Sequence, residues 1–184
     1  MLRLFTGIRL PARLPERLAR MRDYNLPGAA WEMRENLHLT LRFIGDVDEG
    51  MADDLDAVLG RVQSPGFTLT LKGTGAFGGE NPRVLWAGVA ESAGLRELQK
   101  KLDAACLPLC GPDSHARFMP HITLARLEGT SPQMVADYLE RTSRFEEQPF
   151  GVRSFTLFTT RDGGKRKWYE PLRDYHFAQN PEML

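Results

Sequence analysis

Cysteine is scarce in this sequence, neither sign of charge is in excess, and no long apolar run occurs. Two cysteines among 184 residues, Cys106 and Cys110, cannot supply a disulfide framework. Their spacing in CLPLC also differs from the Cys-x-x-Cys of zinc and redox sites. They read as small core residues beside a helix end marked by Pro108 and Gly111. The sharper alternative, a metal site with His115, lacks a fourth ligand. Lys+Arg 24 balance Asp+Glu 24, which excludes a protein that coats nucleic acid through a large positive field; any polyanion must be held locally. The opening MLRLFTGIRLP is interrupted by Arg3 and Arg9, so it has neither the apolar stretch of a signal peptide nor that of a membrane span. A cytosolic protein without a membrane partner is expected. Lysine is scarce beside arginine, 5 against 19, a ratio that suits bidentate phosphate contacts and equally suits a bias in the base composition of the gene.

What is present is an ordinary globular composition, 42% hydrophobic and 26% charged, which rules out wholesale disorder and fibrous classes. The length suits one compact domain or two small lobes, and residues 1–184 are expected to form a single two-lobed domain. Hydrophobic periodicity predicts strands near 2–10, 36–44, 67–73, 83–89, 120–127, 150–159 and 166–172. Helices are predicted over 11–23, 48–62, 91–109 and 131–144, the last opened by Ser131 as N-cap and Pro132 in the first turn. The glycine-rich KGTGAFGG at 72–79 lacks Walker-type lysine spacing and does not lead into a helix, so a nucleoside-triphosphatase is not indicated.

A long-range echo joins the halves. ENLHLTLRFIG at 35–45 resembles FMPHITLARLEG at 118–129, each entering a strand with histidine, an aliphatic residue, threonine and leucine. Such a string follows a given histidine roughly one time in several hundred at average residue usage, so two among four histidines is not a chance pattern. In an extended strand His38 and Thr40 share one face and Leu39 and Leu41 the other; His121 and Thr123 oppose Ile122 and Leu124 in the same way. If the halves face each other, two imidazoles and two hydroxyls converge. That set suits in-line attack on phosphorus. One imidazole takes a proton from the nucleophile, the other gives one to the leaving oxygen, and the hydroxyls donate to non-bridging oxygens. The bland alternative for a single histidine is a structural role; His115 and His176 carry no motif and are read as surface or structural residues. A metal bound by His38 and His121 would need ligands that the motifs do not contain.

The HLTL and HITL strings are similar to the paired His-x-Thr-x motifs of the two-histidine (2H) phosphoesterases. RLFTGIRLP, PRVLWAGV at 82–89 and RFMPHITLAR at 117–126 bring the resemblance closest to the LigT-like RNA 2',3'-cyclic phosphodiesterases, also called 2'-5' RNA ligases. The resemblance implies an α+β, bilobal fold with two pseudo-twofold-related antiparallel sheet and helix lobes around a central cleft. It implies metal-independent hydrolysis of a terminal RNA 2',3'-cyclic phosphate to a 2'-phosphate, reversible 2'-5' ligation, and no cofactor. The expected partners are RNA 3' ends bearing the cyclic phosphate, tRNA fragments among them, or a nucleotide in the cleft, bound by a monomer.

Residue by residue, the family pattern carries onto His38 as acid for the leaving 3' oxygen and His121 as the base that activates water, although the motifs do not separate the two roles. Thr40 and Thr123 match phosphate-contacting threonines, Phe43 an aromatic that stacks on the terminal base, and Arg126 an arginine near phosphate and sugar. Strict alternation places Phe43 with Leu39 and Leu41, and Arg126 with Ile122 and Leu124, so burial is the alternative unless a strand end or bulge turns them toward the cleft. The basic RDGGKRKWYEPLR at 161–173 offers Trp168 and Tyr169 as stacking surfaces along an RNA path, or is a hairpin with solvated charges. The competing functions are a nucleotide- or RNA-end-binding protein without turnover and a 2H enzyme for another cyclic phosphate or a 2'-5' oligoadenylate.

Overall fold

Helix positions follow the leucine spacing. In α3 (Ala93–Cys110), Leu95, Leu98, Leu102 and Cys106 recur every three or four residues and are all buried, while Ser92 caps the first turn by accepting from the Leu95 amide at 3.3 Å. The helix ends at Gly111, whose φ of 72° few other residues adopt. In α2 (Glu49–Leu59), Asp48 accepts from the Met51 amide at 2.8 Å, and Leu55 and Leu59 turn inward. The helix α4 (Pro132–Thr142) starts at its proline as expected, but the Ser131 side chain makes no capping bond, so the rigid φ of Pro132 marks that start without help. A shorter α1 spans Arg13–Ala19.

The computed structural model describes residues 1–113, 117–164 and 166–178. His115 lies outside these, and with it the three-residue metal reading of the CLPLC segment; Cys106 is buried and unpaired with Cys110. His176 is exposed, in keeping with its lack of a motif.

The strands are β1 (Leu2–Arg9), β2 (Ala29–Trp31), β3 (His38–Val47), β4 (Phe67–Leu69), β5 (Leu71–Phe77), β6 (Val84–Val89), β7 (His121–Leu127), β8 (Phe150–Val152), β9 (Ser154–Asp162) and β10 (Lys167–His176). They form two four-stranded antiparallel sheets, ordered β10-β9-β1-β3 and β2-β7-β6-β5, with a small β4-β8 ladder. Helices flank the sheets: α2 packs on α3, α3 on β3, and α4 on β5. The fold is α+β and two-lobed, with the histidine strand of one sheet, β3, beside that of the other, β7.

Two predicted strands divide. The run at 67–73 breaks at Thr70, so that β4 pairs with β8 and β5 with β6; the run at 150–159 breaks at Arg153 in the same manner. A hydrophobic run shows burial but not a change of partner. The three-residue β2 is too short to generate a period and was not expected. β10 extends to His176 past Pro171, which sits at a register shift on a sheet edge, where a missing amide is tolerated.

Leu102 is fully buried between these layers. Leu102→Ala is expected to lower the unfolding free energy by about 2–5 kcal/mol with an unchanged denaturant slope, read by urea unfolding.

Candidate active site

His38 and His121 are the first residues of β3 and β7. Leu39, Leu41, Ile122 and Leu124 are buried in the core, so alternation directs the two His and Thr pairs the other way. All six residues expected from the sequence line one cleft of about 480 Å³: His38, Thr40, Phe43, His121, Thr123 and Arg126.

Phe43 and Arg126 reach it through bulges. Against β1, Thr40 pairs with Gly7 and Arg42 with Thr6, which leaves Leu41 as an extra residue. Against β6, Thr123 pairs with Trp86 and Ala125 with Leu85, which leaves Leu124 extra at the matching position. Each bulge reverses the side-chain parity that follows. Arg42 and Ala125 therefore turn inward, 1% and 0% exposed, while Phe43, 43% exposed, and Arg126 turn to the cleft. Arg42, the largest fully buried side chain, bonds Asp103 at 2.6 Å and donates to the Gly111 carbonyl, securing β3 to the end of α3.

Each imidazole is oriented by backbone. His38 Nδ1 lies 2.6 Å from the Asn36 carbonyl and His121 Nδ1 lies 2.7 Å from the Met119 carbonyl, two residues upstream in each case. A carbonyl only accepts, so Nδ1 carries the hydrogen in both rings and Nε2 is the atom that exchanges a proton. Thr40 Oγ1 is 2.9 Å from His38 Nε2. Burial lowers the pKa of His38 from 6.5 to about 4; the Asn36 bond opposes this shift and His121 adds to it. His38 is thus neutral near pH 7, and Thr40 donates to it. Aromatic rings hold both histidines: Phe5 at 4.9 Å and Tyr169 at 5.0 Å from His38, Phe77 at 4.8 Å from His121.

Several contributors were not legible in the sequence. Asn36 is 5% exposed; its side chain donates to the Lys167 carbonyl at 2.9 Å and accepts from the Tyr169 amide at 3.2 Å. This amide-to-backbone pairing anchors on β10 the turn whose carbonyl orients His38. Arg3 and Lys167 join Arg126 in the lining, three cations against Glu32, which lies 3.8 Å from Arg126. Within the basic 161–173 stretch, residues 161–164 and 166–173 belong to a β9–β10 hairpin in which the Gly163 N–H donates to the Arg166 carbonyl at 2.9 Å. Of its two aromatics, Tyr169 enters the cleft, whereas Trp168 is outside the cleft lining and packs over Gly163. Among the described residues no group of three His, Cys, Asp or Glu side chains is placed to hold a metal ion, and no helix is long and apolar enough to cross a membrane.

The depressed His38 pKa links the site to stability. An unfolded chain takes up a proton near pH 6.5 that the folded protein refuses until about pH 4, so the His38 contribution is fully present above 6.5 and is lost as pH falls. Urea unfolding between these limits should show stability falling with acid, with a shallower slope in His38→Asn; equal slopes would contradict the burial account.

A family model for the 2'-5' RNA ligase superfamily matches residues 10–164. The RNA 2',3'-cyclic phosphodiesterase of Escherichia coli is 31% identical over 180 residues, covering 96% of this chain and 97% of that protein. The enzyme of the same name from Geobacillus stearothermophilus is 40% identical over 112 residues, 59% of this chain and 36% of its own length. Among solved structures, apo E. coli LigT superposes with a TM-score of 0.79 at 30% identity, covering 97% of this chain and 98% of that one. A protein of Thermus thermophilus gives 0.81 at 29% identity, covering 95% and 97%. With two histidine-threonine strands meeting in one cleft, a family model matching residues 10–164 and similarity over 97% of the E. coli enzyme, the chain belongs to the 2'-5' RNA ligase superfamily.

Proposed function

We propose that this protein hydrolyses terminal RNA 2',3'-cyclic phosphates to 2'-phosphates without a metal ion, and joins RNA ends through a 2'-5' linkage in the related transfer. The observation that carries this reading is the pair of imidazoles, each with Nδ1 tied to a carbonyl, in one cation-lined cleft. His121 Nε2 removes a proton from water, the new P–O bond forms as the P–O3' bond breaks, and His38 delivers its proton to O3'. Thr40 and Thr123 donate to the non-bridging oxygens, and Arg126 offsets their charge. Phe43 offers its exposed face to the terminal base.

His38 is neutral in the unliganded site, so in this scheme the phosphate charge raises its pKa and brings the proton that it later donates. That same neutrality favours the reversed assignment, His38 as base and His121 as acid. The two are separable because a 3'-thio leaving group departs as a thiolate and needs no proton.

E. coli LigT is known in complexes with 3'-AMP and with phosphate, which supports a nucleotide phosphate as the ligand of this cleft. We place the protein in the cytosol, as a monomer whose 184 residues work as one two-lobed unit on RNA 3' ends such as tRNA fragments.

His38→Ala and His121→Ala should each lower turnover of a cyclic-phosphate RNA by roughly 100-fold to 10,000-fold, with EDTA having no effect on the wild type. The 3'-thio substrate should restore activity to the variant lacking the acid, expected to be His38→Ala. Near-normal turnover by either folded variant, or inactivation by EDTA reversed by a divalent ion, would overturn the scheme.

A further inference from the structure

A second cavity, also about 480 Å³, adjoins the cleft and shares Thr40, Phe43 and His121 with it. It touches His121 but not His38. Its remaining lining differs in chemistry from the cleft. Phe77 and Phe118 add aromatic faces to that of Phe43, and Gln99 and Asp103 supply polar edges. Those two are held in place, Gln99 donating to Asp103 at 2.5 Å and Asp103 in turn accepting from buried Arg42 at 2.6 Å. Where the cleft presents three cations to one carboxylate, the described lining here carries Asp113 and Arg117, together with Asp103, whose charge buried Arg42 already balances. The cavity therefore lacks the excess positive charge of the cleft, and its aromatic faces and polar edges suit an uncharged, planar group with hydrogen-bonding edges.

In-line displacement places the incoming oxygen opposite the departing one, on the side of the base. We propose that this second cavity is an acceptor subsite for a nucleoside with a free 5'-hydroxyl, and that its occupancy decides between joining and hydrolysis; this rests on the cyclic phosphodiesterase reading above, with His121 as base. When the cavity is filled by water, water attacks and a 2'-phosphate results. When it holds a nucleoside, the 5' oxygen forms the bond to phosphorus and its proton passes to His121. The P–O3' bond then breaks and O3' takes the proton from His38. The product is a 2'-5' phosphodiester, with no atom or electron pair left over and no co-reactant required. The base of the acceptor stacks between Phe77 and Phe118, Phe43 being left to the terminal base of the cyclic-phosphate RNA, and Arg117, exposed at the rim, can meet the first phosphodiester of the acceptor strand.

The test is a partition experiment on the full-length protein. An RNA ending in 2',3'-cyclic phosphate is incubated with increasing amounts of the dinucleotide ApA, in 5'-hydroxyl or 5'-phosphorylated form. The hydrolysed and joined products are both quantified, and inhibition of hydrolysis by ApA is measured against RNA concentration. With the 5'-hydroxyl form, joined product should rise with ApA, and ApA should lower the hydrolytic rate without raising the KM for RNA. With the 5'-phosphorylated form, no joined product should form. Phe118→Ala should weaken the ApA effect on both products roughly tenfold, as loss of one stacking face implies, while hydrolysis in the absence of ApA stays within about twofold of wild type. Arg117→Ala, at an exposed position, serves as a second variant: it should weaken the ApA effect and flatten its salt dependence. Competition between ApA and the cyclic-phosphate RNA, or a raised KM for RNA in Phe118→Ala, would assign the cavity to the substrate's own base and overturn the proposal. An ApA effect that both variants leave intact would overturn it as well. Failure of the wild type to hydrolyse the RNA at all would instead defeat the functional reading on which the subsite rests.

Discussion

The bond between each Nδ1 and the carbonyl two residues upstream is the constraint on which the site depends. It removes the choice of tautomer and fixes the ring plane, so that Nε2 of His38 and Nε2 of His121 enter the same cleft as proton-exchanging atoms. The constraint is local in sequence but not in origin. The Asn36 carbonyl is steady because its side chain is bound to the backbone of β10, a strand more than a hundred residues away. The geometry of His38 is thus tied to the closing of a whole sheet, β10-β9-β1-β3.

Electrostatics follow from the same economy. A chain with no net charge cannot attract RNA from a distance by its overall field, yet Arg3, Arg126 and Lys167 concentrate positive charge where β3 and β7 meet. Burial among Phe5, Phe158 and Tyr169 holds His38 neutral near pH 7. A cleft lined in this way favours an anionic ligand by charge.

Much of this was legible in the residues. The paired His-x-Thr strings placed both histidines and both threonines at strand entries on the face away from the core, because period-2 alternation leaves few ways to bury Leu39, Leu41, Ile122 and Leu124. The hydrophobic period, with the Ser131-Pro132 start signal for α4, placed all four helices. Parity alone misplaced Phe43 and Arg126 among the core residues, and it did so for one reason: a bulge at Leu41 and another at Leu124 each insert a residue that composition does not mark. The two bulges occupy matching positions, so the internal repeat extends to an irregularity of the backbone as well as to the motif. The role of Asn36 was hidden because burial of a polar residue depends on what packs over it, and that partner comes from the far end of the chain. The division of the runs at 67–73 and 150–159 was hidden likewise, since hydrophobicity reports burial and not the identity of the neighbouring strand.

The central claim is that two identical side chains work in opposite protonation states. It is tested most directly by the single-turnover rate of cyclic-phosphate RNA cleavage across roughly pH 4.5 to 9, a range that spans the ordinary histidine pKa. The account predicts a bell-shaped profile, with an acid limb for the base that must be neutral and an alkaline limb for the acid that must be charged. A rate that keeps rising as the pH falls, in protein shown to be folded, would contradict it.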